Sequence, residues 1–149
     1  MNLVTLFVSG VLFNLSRVTY AVDFRDCGSS KARVISVTIS PCNPAHCTLR
    51  RGQESSVDIL FTTTQRFTVG AARVQAGSPS GFRTLSITAS EVCDLLTPGC
   101  PVLAGRTYSF KYTGEVPKRS TVGPMTIRWE MLDSNLIPFL CAEFDVQIE

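Results

Sequence analysis

The stretch Ser40-Pro41-Cys42-Asn43-Pro44-Ala45-His46-Cys47-Thr48-Leu49-Arg50-Arg51-Gly52 sets two cysteines with four residues between them, one of these a proline, and another proline just ahead. Proline has no N–H to give to a strand ladder and a fixed φ, so the chain turns here. A Cys42–Cys47 disulfide would pin that turn. Towards it run Ile35, Val37 and Ile39, alternating with Ser36 and Thr38, the period of a half-buried strand. Beyond it, Arg50-Arg51-Gly52 marks a tight bend. Val57, Ile59 and Phe61 then alternate with Asp58 and Leu60 and run into the β-favouring Thr62-Thr63-Thr64.

The same alphabet of strands and turns extends in both directions. Residues 22–27 form a short extended entry, closed by the turn chemistry of Asp26-Cys27-Gly28-Ser29-Ser30. Residues 67–75 read as a strand interrupted by Gly70. Residues 77–81 read as loop, and the apolar Phe82, Leu85 and Ile87 fall among turn-like flanks, so they too are placed in a loop. Cys93 and Cys100 bound a small stapled loop. Tyr108, Phe110 and Tyr112 share one face of a strand, and residues 114–124 form a long connection. Residues 124–131 are the clearest strand. Asp133-Ser134-Asn135 is a hairpin turn, and Leu140, Ala142, Phe144, Val146 and Ile148 alternate along the last strand. No segment after residue 21 holds a 3.6-residue period over ten positions. About seven strands with turns between them predict an all-β, immunoglobulin-like β-sandwich of two antiparallel sheets, one domain over residues 22–149.

Residues 3–15 are mostly apolar and lead through a short polar patch to Thr19-Tyr20-Ala21, the layout of a secretory signal peptide cut near Ala21. The run is shorter than the ~20 residues a membrane span needs. Its removal takes away Arg17 from a chain of formal charge +2. The nearly neutral remainder offers no electrostatic footprint for nucleic acid and no polybasic membrane anchor.

All six cysteines (27, 42, 47, 93, 100, 141) follow the signal peptide, where an even count reads as disulfides. Many connectivities are open. Proximity favours Cys42–Cys47 and Cys93–Cys100, which leaves Cys27–Cys141 to tie the first strand to the last. The spacings are not those of zinc ligands, and His46 is the single histidine. A Ser-His-Asp or Cys-His device would therefore have to use His46, which sits inside the disulfide turn as a solvated side chain. Glu91, Asp94 and Glu115 have nothing in the sequence to bring them together as a carboxylate pair. No glycine-rich loop opens a helix. The reading is a non-enzyme without metal or cofactor. Apolar side chains at Phe82, Leu85, Ile87, Val116 and Val122 lie in expected loops, where they either close a lined cavity or tuck over a filled core.

These residues carry a family likeness. Phe24-x-Asp26-Cys27-Gly28-Ser29, Val37-x-Ile39-x-Pro41-Cys42 and Cys47-x-Leu49-x-x-Gly52 resemble the ML lipid-recognition family. The similarity is greatest to its Niemann–Pick type C2 (epididymal secretory protein) branch, with the mite group 2 allergens as relatives. It continues through Cys93, Cys100-Pro101-Val102, Gly105-x-Thr107-Tyr108-x-Phe110, Ile127-x-Trp129-x-Met131-x-Asp133 and Cys141-Ala142-Glu143. The resemblance implies two sheets splayed around one lipid, and the disulfides Cys27–Cys141, Cys42–Cys47 and Cys93–Cys100. It also implies carriage without covalent chemistry of a sterol or fatty-acid-like ligand, as in cholesterol transport. By position it places Leu49, Val57, Leu85, Val116, Met125, Ile127 and Trp129 in the lining, and the strand and loop argument adds Phe82, Ile87, Tyr108 and Phe110. Expected partners are the lipid and a transient membrane or membrane-transporter contact, for a monomer that does not bind nucleic acid. A second reading is a module that presents a microbial or environmental lipid to a receptor.

The chain departs from the sterol carriers of that branch at Phe82-Arg83-Thr84-Leu85-Ser86-Ile87-Thr88, which replaces a proline-rich apolar loop. Residues 118–124 lack the expected aromatic, and Ala142 stands where an aromatic often follows the last cysteine. Fewer rings imply a roomier or differently shaped cavity. Arg83, Lys118 and Arg119 stand in these loops either as solvated cations or as partners for a carboxylate or phosphate head. The one N-x-[ST] site, at Asn14, lies in the signal peptide, so secretion is expected, with the lysosomal or late-endosomal lumen as the alternative.

Overall fold

The computed structural model describes residues 19–43, 46–79 and 81–149, without the side chains of Ser78 and Phe82. The apolar run of the expected signal peptide lies outside the described residues. The entry segment divides into β1 (Tyr20–Val22) and β2 (Phe24–Asp26), which join different sheets. A cut after Ala21 would leave β1 only Val22 of its three residues paired with β3 (Ala32–Ser40).

The chain continues through β4 (Thr48–Leu49), β5 (Glu54–Thr63), β6 (Val69–Ser78), β7 (Gly81–Thr88), α1 (Ala89–Leu95), β8 (Leu96–Thr97), β9 (Thr107–Glu115), β10 (Gly123–Asp133) and β11 (Pro138–Ile148). One sheet has the order β1-β3-β5-β9-β8. The other runs β2-β11-β10-β6-β7, with β4 added in parallel to β11. Apart from β4, every strand pairing is antiparallel. The architecture is the all-β sandwich that the alternating pattern predicts.

Strand period and register determine which side chains meet between the sheets. In the first sheet Val34, Phe61 and Tyr108 form one inner row; Val37, Ile59, Phe110 and Leu96 form the next; Ile39, Val57 and Tyr112 form the third. In the second sheet the rows are Leu140, Met131, Ala72 and Ile87, then Ala142, Trp129, Val74 and Leu85, then Phe144, Ile127, Ala76 and Arg83. The first rows are fully packed: Phe61, Tyr108, Ile59, Phe110, Met131 and Leu140 have no exposed surface. Each such large side chain contributes about 1.5–3 kcal/mol through burial. The Phe61 ring stacks on Tyr108 at 5.8 Å and meets Phe139 at 6.3 Å, closing this end.

Three elements differ from the sequence reading. A bulge between Val34 and Ser36 reverses the phase of β3, so Val34 is buried and Ile35 is 46% exposed, although it alternates with Val37 and Ile39 on paper. Residues 82–87, expected as loop, belong to edge strand β7, paired with β6 along its whole length. A helix, α1, begins at Ala89 and runs into the Cys93–Cys100 segment, expected as loop: Thr88 and Glu91 form a capping box, Thr88 N donating to the Glu91 carboxylate at 2.8 Å. That helix is too short to show a period. Among the described residues no helix is long and apolar enough to cross a membrane.

Disulfides join Cys27 to Cys141, Cys42 to Cys47 and Cys93 to Cys100. The first ties the end of β2 to β11. The hairpin between β10 and β11 turns on Asp133, which accepts from the backbone N–H groups of Asn135 (2.9 Å) and Ile137 (3.0 Å) and pairs with Lys31.

Candidate lipid cavity

From the third inner row of the first sheet, and the second inner row of the other, the sheets are no longer filled. A cavity of about 480 Å³ opens there, within the ~300–1,000 Å³ of small-molecule sites. The first sheet contributes Ile39, Val57 and Tyr112, with Ser55 and Gly114 further out. The second contributes Val74, Leu85, Ala76, Met125, Ile127, Trp129 and Phe144. Leu49, Ile148 and the loop residues Val116 and Pro117 bound it. Burial falls along the inner face of β7, from Ile87 at 5% exposed to Leu85 at 42%, which locates the open end.

Gly114 shapes this wall. A Cβ there would lie 3.0 Å from the Tyr112 ring, which folds back over the glycine on the same strand face. Trp129 is 3% exposed, and its ring lies 5.6 Å from both Phe110 and Tyr112. Among the described residues its indole N–H has no hydrogen-bond partner. The turn that bounds the mouth is fixed by backbone bonds, Gly52 N to Val116 O (2.8 Å), Val116 N to Gln53 O (2.9 Å) and Ser120 N to Pro117 O (3.0 Å).

Of the residues singled out in the sequence, Leu49, Val57, Leu85, Val116, Met125, Ile127 and Trp129 border this cavity. Tyr108, Phe110 and Ile87 do not: they share a strand face with cavity residues but sit deeper, in the filled core. Alternation reports a face and not a depth. The side chain of Phe82 lies outside the description. Tyr112, Ile39, Val74 and Phe144 line the cavity without having been singled out. For Tyr112 the signal was present, since it ends the Tyr108–Phe110–Tyr112 face. Lys118 lies outside the lining, beside Gly52, whereas Arg83 and Arg119 border it.

A second depression, on the outer face of β10 and β11, is larger, about 890 Å³, but its walls include Gln75, Thr126, Arg128, Glu143 and Asp145. Arg128 and Arg25 pair there with Glu143 and Asp145. Ion pairs cross that depression, whereas the volume between the sheets is bounded mainly by apolar side chains, so the cavity between the sheets is the candidate site.

The family model for the ML domain matches residues 21–148. The chain belongs to the ML domain family. Among curated relatives of this ML domain, NPC intracellular cholesterol transporter 2 of Bos taurus is 29% identical over 139 residues, covering 90% of this chain and 89% of the relative. The protein of the same name from Danio rerio is 30% identical over 132 residues, covering 85% of each. Among solved structures, a Niemann-Pick type C2 protein from Japanese carpenter ant superposes with a TM-score of 0.72. It is 23% identical, and the match covers 85% of this chain and 99% of that one. At that identity the likeness speaks for the fold.

Proposed function

We propose that this ML domain is a non-enzymatic carrier that holds one hydrophobic lipid, a sterol or fatty-acid-like molecule, between its sheets and exchanges it at the open end. The observation that carries the reading is the apolar cavity between Val57, Tyr112, Leu85, Ile127 and Trp129, open where Leu85 becomes exposed. An acyl chain or sterol gains about 0.8 kcal/mol for each CH₂ removed from water, so its unassisted passage between membranes is slow. A sandwich that takes up the ligand at its open end lowers that barrier. Relatives named as intracellular cholesterol transporters support the reading. Three disulfides suit an oxidising compartment, so the carrier is secreted or resides in the lysosomal or late-endosomal lumen. It works as a monomer with transient membrane contact.

Trp129 is the single tryptophan and lines the cavity, so its fluorescence reports occupancy. Titrating delipidated protein with cholesterol and with oleate should give a saturable change at one equivalent for at least one of them. A signal unaffected by both contradicts the carrier reading.

A further inference from the structure

We propose that the preferred ligand is an anionic amphiphile whose tail fills the cavity and whose head is held at the mouth by the guanidinium groups of Arg83 and Arg119. This rests on the carrier reading above and names its ligand class.

The first observation is a charge on an inner face. Arg83 stands in register with Ala76, which is in register with Ile127, which is in register with Phe144. In the three inner rows of this sheet Arg83 is the one charged side chain; the other positions are Leu, Met, Ala, Ile, Trp, Val and Phe. The inner face of a sandwich is where charge is costly to desolvate. At this row, however, the sheets have parted, and Arg83 borders the cavity.

The second observation concerns partners. On the outer face of the same sheet Arg25 meets Asp145, Arg73 meets Glu130 at 2.7 Å, and Arg128 meets Glu143. Among the described residues no carboxylate pairs with Arg83 or Arg119. Glu115 also borders the cavity, but strand alternation puts it with the exposed Lys111 and Thr113 on the outer face of β9, opposite to Tyr112 and Gly114.

The third observation is placement. Arg119 lies within the turn closed by Ser120 N and Pro117 O, anchored by two backbone bonds between Val116 and residues 52–53. Its base is therefore fixed beside the mouth. Guanidinium groups match the planar fork of a carboxylate and also bind sulfate or phosphate oxygens, so the shared chemistry is a compact anion on an apolar tail.

The test compares ligands that differ only at the head: oleate with oleyl alcohol, and cholesterol sulfate with cholesterol, near neutral pH on delipidated protein. The account predicts that at least one anionic ligand binds about tenfold more tightly than its neutral counterpart. That preference should shrink with salt, since the mouth is solvated, and should fall to near unity in Arg83→Gln/Arg119→Gln. Equal affinity for anionic and neutral partners in the native protein overturns the anion site and leaves the carrier reading standing. A preference that persists in the double variant overturns the assignment to these arginines, and would make Arg83 only an edge-protecting charge on β7. Failure of all four probes to bind removes the carrier reading itself. The native comparison is decisive even if the double variant folds poorly.

Discussion

Tyr112 and Trp129 face each other from opposite sheets, ring centroids 5.6 Å apart and planes at 56°, and both border the cavity. Two residues back along the same face of β9 lies Phe110, fully buried and also 5.6 Å from the Trp129 ring. The pair thus marks the boundary between the filled half of the sandwich and the hollow half. Fully buried side chains fill the sandwich on the Phe110 side, and the open volume lies on the other.

That separation predicts that the cavity can be filled without unfolding the protein. Val57, between Ile39 and Tyr112 in the inner row, points at the empty volume. Val57→Phe should lower lipid affinity at least tenfold while changing stability by less than about 1.5 kcal/mol, because the added ring enters open space. Ligand titration and urea unfolding on the same preparation check both halves. Phe110→Ala, on the filled side, should cost about 3–5 kcal/mol instead.

The disulfides should differ in weight. Cys27–Cys141 spans a sequence separation of 114 and Cys93–Cys100 one of 7. On the loop-entropy model the first contributes about 4–5 kcal/mol and the second about 2–3 kcal/mol. Paired Cys→Ser variants, compared by denaturant midpoint, should rank in that order.

Gly70 admits no side chain. A Cβ there would lie 2.1 Å from the Asp133 carbonyl oxygen, at the register shift where β6 meets the end of β10. Gly70→Ala must move backbone rather than a side chain, so its cost should reach the upper end of about 1–3 kcal/mol or exceed it. The atoms nearest a Cβ at Gly114 belong to the Tyr112 side chain and not to backbone, so Gly114→Ala should cost less than Gly70→Ala while altering ligand affinity. Thermal melts and lipid titrations of the two variants separate these effects.

Acid should leave the fold intact until the carboxylate range. The Lys31 ammonium and the backbone N–H groups of Ile137 and Asn135 hold the Asp133 carboxyl below its usual value, and Arg25 and Thr126 do the same for Asp145. Between the folded and unfolded pKa values the unfolded chain holds more protons, so this stabilisation is complete above the unfolded value of about 4 and is lost as pH falls below it. Urea midpoints should be level between about pH 5 and 8 and drop below about pH 4. Asp133→Asn should lower the plateau and make the acid limb shallower.

Much of this was written plainly in the chain. Met125, Ile127, Trp129 and Met131 alternate on β10 because that strand is central, paired on both sides and out of reach of edge irregularities. Edge strand β7 was obscured for the opposite reason. Its inner row places Arg83 in line with Leu85 and Ile87, so the period-2 signal is broken by the very charge that marks the cavity mouth. Ile35 misled because a single bulge residue reverses every later phase. The one sign of α1 was Thr88-x-x-Glu91, a capping signature independent of helix length. Tyr108 and Phe110 show what periodicity lacks: it orders residues by face, while depth depends on where two sheets diverge.

The measurement that bears most directly on the carrier account is native mass spectrometry of the disulfide-intact protein, followed by organic extraction and identification of what is released. The account predicts a one-to-one adduct with a sterol or acyl lipid that is absent from Val57→Phe purified in parallel. Protein that is bare as isolated, and remains bare after incubation with cholesterol and oleate, would contradict it.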